Sequence, residues 1–296
     1  MATTDLVTEI FIVLRNTFFD DSGTPIPFVL REKRNTQDDP LDEYIADLLT
    51  QNLSDSICQK SPGPLISPDL TIYRPDLCNG AGRDILRMDT NRIVGIEVKK
   101  LERTKGKIAR ATGLDYNTTP PCGTIRIYDA DDSPLDIRGF YLFVAQEKLP
   151  EQGQFILSAL SLCDGSVLND DFDFYLSITG QRSKSIGLGT YSDGLNRIRP
   201  MLVFANPLGA TELDYAATLV NQREVFNENR LRLVYRIRRK VDEGTYREFF
   251  AYRLTSDVEA GWQVETLDDP FPQPKRRVET TQRRGKFIVP VRPGKG

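Results

Sequence analysis

The chain reads as a mixed α/β or α+β protein, and three observations predict this. Leu41, Tyr44, Ile45, Leu48 and Leu49 recur at helical spacing. Short strand-like runs recur along the rest of the chain, without repeats or long low-complexity stretches. The 296 residues are 39% hydrophobic, 27% charged and 9% aromatic, close to a globular average and remote from disordered, collagenous or membrane compositions. A chain of this length buries a sizeable core without disulfides.

Thr4 to Thr17 fits a first helix. Its run Ile10-Phe11-Ile12-Val13-Leu14 follows acidic residues and precedes no small-residue cleavage site, so it does not read as a signal peptide. No apolar stretch approaches the roughly 20 residues that cross a bilayer. A cytoplasmic protein is expected. Asp38 or Asp39 before Pro40 starts the second helix, the clearest amphipathic one.

Strand-like runs follow at Leu70 to Tyr73, Arg92 to Lys99, Thr124 to Tyr128, Gly139 to Ala145 and Phe155 to Leu162. Further runs are Asp173 to Ile178, Met201 to Ala205, Leu231 to Val241 and Tyr246 to Leu254. The last two flank Asp242-Glu243-Gly244, a hairpin turn. Alternation predicts Leu231, Leu233, Tyr235 and Ile237 on one face, with Arg232, Arg236 and Arg238 on the other. No shift in composition marks a domain boundary. The tail, rich in Pro and Arg, is expected to be extended or to order on binding.

The chain contains no histidine. This excludes Ser-His-Asp and Cys-His hydrolases, HExxH proteases and histidine-based nucleases together. Catalysis is left to carboxylates, Lys, Tyr, Ser, Cys or a hard metal. Cys58, Cys78, Cys122 and Cys163 form no CxxC pair and read as reduced thiols rather than a zinc site.

The net charge of −3 hides an asymmetry. Residues 271–296 carry eight basic groups against Glu279, and a second basic cluster lies between Arg230 and Leu254. Such clusters suit a polyanion-binding cleft or a solvated face.

Two segments carry the chemistry: Ser67-Pro68-Asp69-Leu70-Thr71-Ile72-Tyr73 and Ile93-Val94-Gly95-Ile96-Glu97-Val98-Lys99-Lys100. Each places acidic groups at the end of an apolar strand. A carboxylate among Ile and Val costs several kcal/mol unless it is paired or metal-bound. Glu97 and Lys99 project from one face while Val98 points into the core. If Asp69 opens a neighbouring strand, Asp69 and Glu97 converge on one divalent ion. Oxygen-only ligands suit Mg²⁺, with Lys99 placed to polarise water and stabilise charge on a phosphate. The plainer alternative is an exposed Glu97–Lys99 strand pair and a turn-capping Asp69.

Pro68-Asp69 followed after 27 residues by Glu97-Val98-Lys99 resembles the PD-(D/E)xK nucleases, and within them the type II restriction endonucleases. Pro75-Asp76 is a second, looser match, but Leu-Cys-Asn-Gly after it reads as loop. The resemblance covers about the first 145 residues. It implies a restriction-endonuclease-like core, a central mixed β-sheet flanked by helices, with added recognition elements. It also implies Asp69, Glu97 and Lys99 as catalytic, with Asp69 and Glu97 as metal ligands. The supporting helical acid that the family commonly carries is Asp42 or Glu43, with Asp42 beside the apolar face and Glu43 on the outer side. Mg²⁺-dependent, sequence-specific cleavage of double-stranded DNA by a homodimer follows as the expectation. Residues 1–145 are then a catalytic core within one nuclease domain, and 146–296 supply mainly recognition and dimerisation elements.

Candidate DNA contacts follow from position. Arg103, Lys105, Lys107, Arg110 and Asn117 lie just beyond the candidate active-site strand. Arg182, Lys184, Tyr191, Asn196, Arg197 and Arg199 lie in a Gly-containing loop with side chains suited to base edges. The run Asp129 to Asp136 lacks the glycine and glutamate of a calcium loop and reads as an acidic turn. Trp262 reads as packing. Competing expectations are a repair or junction-resolving nuclease of the same fold and a non-catalytic DNA-binding protein.

Overall fold

A computed structural model describes residues 5–35, 38–63, 66–104, 107–108, 123–167, 188–190, 196–198, 208, 210, 212–213, 215–225, 228–242, 244–268, 270 and 288–294. The first half contains α1 (Leu6–Phe18), β1 (Phe28–Val29), α2 (Pro40–Asn52), β2 (Ile57–Lys60), β3 (Leu70–Tyr73), α3 (Pro75–Cys78), α4 (Arg83–Met88), β4 (Ile93–Thr104), β5 (Lys107–Ile108), β6 (Thr124–Tyr128) and β7 (Pro134–Lys148). The second half contains β8 (Gln154–Asp164), β9 (Leu188–Thr190), β10 (Asn196–Ile198), β11 (Ala217–Asn221), β12 (Leu231–Asp242), β13 (Thr245–Leu254) and β14 (Glu265–Asp268).

Most of these strands form one mixed sheet in the order β14-β12-β13-β11-β8-β7-β4-β3-β2, with β1, β5 and β6 pairing at its margins. The pairs β4–β7, β8–β11 and β12–β14 are parallel and the other ladders of the main sheet are antiparallel. A mixed α/β architecture with few helices is therefore observed. The helices α1 and α2 cover one face, where Leu6, Ile10, Phe11, Leu14, Leu41, Ile45 and Leu49 pack against Leu70, Ile72, Val94 and Ile96. A second cluster gathers Tyr141, Phe143, Cys163, Tyr235, Ile237 and Phe249. No helix among the described residues is long and apolar enough to cross a membrane.

Local chemistry explains the helix starts. Asp5 caps α1, its carboxylate accepting from the Thr8 N–H, so the helix begins at Leu6. Asp39 caps α2, accepting from the Leu41 N–H at 3.1 Å, and Pro40 occupies the first turn, where its missing N–H costs nothing. The central strand β7 outruns its apolar stretch of Gly139 to Ala145 at both ends. The polar residues at its first end find partners: Asp136 with Arg126 at 2.8 Å, and Arg138 with Asp164 at 2.7 Å.

Three expectations are corrected. The alternation across β12 is broken by a bulge between Leu233 and Tyr235. Leu231 and Leu233 join the cluster under α1, whereas Val234, Tyr235 and Ile237 join the second cluster, because one inserted residue swaps the faces of everything after it. The basic cluster from Arg230 to Leu254 is not one cationic surface. Arg230 pairs with Glu9 and Glu228, Arg236 with Glu224, and Arg238 with Asp268, while Arg253 lies over the Tyr215 ring. The end of the tail is not free: Val289 and Val291 are buried with Tyr73, Ile93, Ile127 and Ile137, and Ile288 bridges to Tyr128. The strands expected at Asp173 to Ile178 and Met201 to Ala205 lie outside the described residues.

Candidate active site

The site forms where β3 stops and β4 runs on. Leu70 opens β3 opposite Ile96, so Asp69 stands just outside the ladder beside Glu97. Past Ile96 no described strand continues alongside β4 in place of β3 until Arg103 and Thr104 pair with β5. The Val98 N–H at this open edge donates instead to Asp69 Oδ2 at 2.8 Å. Gly95 permits the approach, since a Cβ there would lie 3.1 Å from the Pro68 ring.

Glu97 is 3% exposed, a burial that requires partners. Ser67 Oγ donates to its Oε1, and Lys99 Nζ donates to its Oε2 at 2.9 Å. The same ammonium lies 3.2 Å from the Val98 carbonyl oxygen and 3.7 Å from Asp69 Oδ2. Two carboxylates and a carbonyl thus surround a single cation. Burial, then the adjacent Glu97 charge, hold the Asp69 carboxyl well above its ordinary range.

The two helical acids separate. Glu43 pairs with Arg31 and lies 3.9 Å from Lys60, and the Arg31 hydrogen bond lowers its pKa. Asp42 faces the strand ends. Burial and the Asp39 charge raise it to about 7, against the pull of Lys99, Lys60 and Lys100, and its own charge raises Asp69 in turn. The two acids therefore lie in different surroundings, Glu43 on Arg31 and Asp42 within electrostatic reach of Lys99. The second Pro-Asp match lies elsewhere: Asp76 is in α3, beyond Tyr73, which pairs with Ile93 at the far end of the ladder.

Family models, curated proteins and solved structures were compared with the chain, and none matches significantly. The chemistry of the site therefore rests on its own geometry.

Among the described residues, no three acidic or cysteine side chains converge tightly enough to form a metal cage by themselves. A cation needing one or two carboxylates plus waters is the one such a site can hold. Asp69 Oδ2, Glu97 Oε2 and the Val98 carbonyl are hard oxygen donors already gathered on one positive charge, a donor set that fits Mg²⁺.

Of the candidate DNA contacts, Arg103 and Lys107 lie in the β4–β5 hairpin, where Arg103 pairs with Ile108 and Thr104 with Lys107. Asn196 and Arg197 lie in β10, paired with Thr190 and Gly189 of β9, so part of the expected loop is a two-stranded ribbon. Lys105, Arg110, Asn117, Arg182, Lys184, Tyr191 and Arg199 lie outside the described residues. Sequence reading missed Ser67, whose only signal was its place two residues before Asp69, and the Val98 backbone, which no side-chain motif encodes. It also missed the Asp39–Lys100 ion pair at 2.8 Å, which ties the α2 cap to β4.

Proposed function

We propose that this protein is a Mg²⁺-dependent endonuclease that cuts double-stranded DNA in the manner of type II restriction enzymes. One observation carries the reading: Asp69, Glu97 and the Val98 carbonyl surround the Lys99 ammonium at the open edge of β4, with Asp42 opposite. Asp69 and Glu97 would hold the metal, which when bound supplies Lewis-acid stabilisation of the phosphate and a more acidic water. Glu97 is kept in one orientation by Ser67, which leaves Oε2 facing the cleft. With the carboxylates engaged elsewhere, Lys99 is released to orient the attacking water and to meet negative charge developing on the phosphate. Asp42 positions Lys99 from the helix side. No step requires histidine. Cutting both strands of a palindromic site would be met by a homodimer, which sedimentation on DNA would test.

The deciding experiment is plasmid digestion by purified protein with and without Mg²⁺. Discrete bands that require Mg²⁺ and vanish in Asp69→Asn are the expected result. A metal-dependent smear would favour a shape-reading nuclease. Intact plasmid across several unmethylated DNAs, together with DNA binding, would move the reading to a binding protein.

A further inference from the structure

Lys99 and Lys100 leave β4 on opposite sides, and the second borders a separate cavity of about 590 Å³. This volume lies within the range of cavities that enclose one small ligand. Leu30 and Phe155 supply apolar wall, Arg31, Lys33, Lys100 and Lys148 supply positive charge, and Glu32 and Asp39 supply the acids beside them. The Asp39–Lys100 pair lines it, and Lys100 directly follows Lys99 of the candidate active site in β4.

Gln146 is the unusual residue. It continues the row of Leu142 and Val144 on the helix-covered face of β7, where an apolar side chain would pack, and it is 5% exposed. Gln146 borders the cavity, and its Nε2 is buried without a hydrogen-bond partner. Such a donor is costly to bury unless a ligand satisfies it.

We propose that this cavity is a nucleotide subsite. The base would lie against Phe155 and meet the Gln146 carboxamide, and its phosphate would meet Lys33, Lys100 and Lys148. A carboxamide offers a donor and an acceptor side by side, as a base edge requires, and an aromatic wall accepts any base face. This inference rests on the DNA-cutting reading, in which the occupant is a nucleotide swung out of the duplex beside the cut. A free nucleoside monophosphate has the same chemistry, and the test separates the two sources.

The probe is a duplex with one unpaired 2-aminopurine, bound in Ca²⁺ so that it is not cut, with a fully paired duplex as control. Deoxynucleoside monophosphates are titrated separately by calorimetry. The expected result is an emission change of about twofold on the unpaired probe only, with affinity at least fivefold weaker in Gln146→Leu and in Lys148→Glu. Lys148 is exposed, so its variant keeps the test intact if Gln146→Leu fails to fold. Binding of monophosphates that both variants weaken, without an emission change, supports the subsite and assigns it to the free nucleotide. No response to either probe, or responses that both variants leave unchanged, overturns the proposal. Plasmid cutting in Mg²⁺ by the same preparation separates the two failures: cutting without a probe response sinks the subsite alone, whereas absent cutting sinks the nuclease reading.

Discussion

Glu97 is held from both oxygens, by Ser67 on one and Lys99 on the other, and this makes the site sensitive to single atoms. Asp69→Asn, Glu97→Gln and Lys99→Ala should each lower Mg²⁺-dependent cutting by about 10³-fold or more while DNA binding in Ca²⁺ persists, as gel shift and plasmid digestion would show. Ser67→Ala leaves Glu97 one partner short and should cost about 1–2 kcal/mol in urea unfolding. The two helical acids should behave differently. Asp42→Asn should impair cutting, and Glu43→Gln should leave it nearly intact, because Glu43 is spent on Arg31. The pH dependence follows from Asp42, which titrates at about 7 when folded against an ordinary 3.8. Its contribution is full below 3.8 and is lost as the pH rises through about 7. Metal-free wild-type protein should therefore lose stability across that window, and Asp42→Asn should gain on the order of 2 kcal/mol relative to it at pH 8 but not at pH 4. Thermal melts in EDTA at both pH values check this, and a pH-independent effect would contradict it.

At the scale of elements, α2 couples its start to the site through Asp39, which both caps the helix and pairs with Lys100. Asp39→Ala should cost about 1 kcal/mol of stability, measured by urea unfolding. The helix was legible in the sequence because capping and 3.6-residue periodicity are local, and β3 was legible to the residue because Leu70, Thr71, Ile72 and Tyr73 form a short strand-favouring run between the charged Asp69 and Arg74. The bulge in β12 was not. Which residue of Leu233-Val234-Tyr235 is the extra one depends on the partner strand β13, and alternation read along one strand carries no register. Deleting Val234 should make the ladder to β13 regular with Tyr235 and Ile237 still in their cluster, so the protein should fold, and loss of the buried Val234 side chain should cost about 1–3 kcal/mol in urea unfolding.

Across the whole molecule, the returning chain end closes the cluster below β3. Removing residues 288–296 takes away the buried Val289 and Val291, exposes the Ile93, Ile127 and Ile137 cluster they cover, and should lower stability by about 2–4 kcal/mol in chemical denaturation. Sequence alone determined what depends on composition and near neighbours. Without histidine, any catalysis was left to carboxylates, Lys, Tyr, Ser, Cys or a hard metal, and the apolar flanks of Asp69 and Glu97 made their charges conspicuous. The tertiary structure decided what depends on distant segments meeting. It put Asp42 and Glu43 in different surroundings, gave Ser67 and the Val98 backbone their places, and dispersed the Arg-rich strand among acids from elsewhere in the chain. It also folded the tail onto the body and opened a cavity beside Gln146. The physical reason is common to all of these: a side chain's charge and size are written at its own position, but its partners are fixed only when the sheet brings together residues tens to hundreds of positions apart.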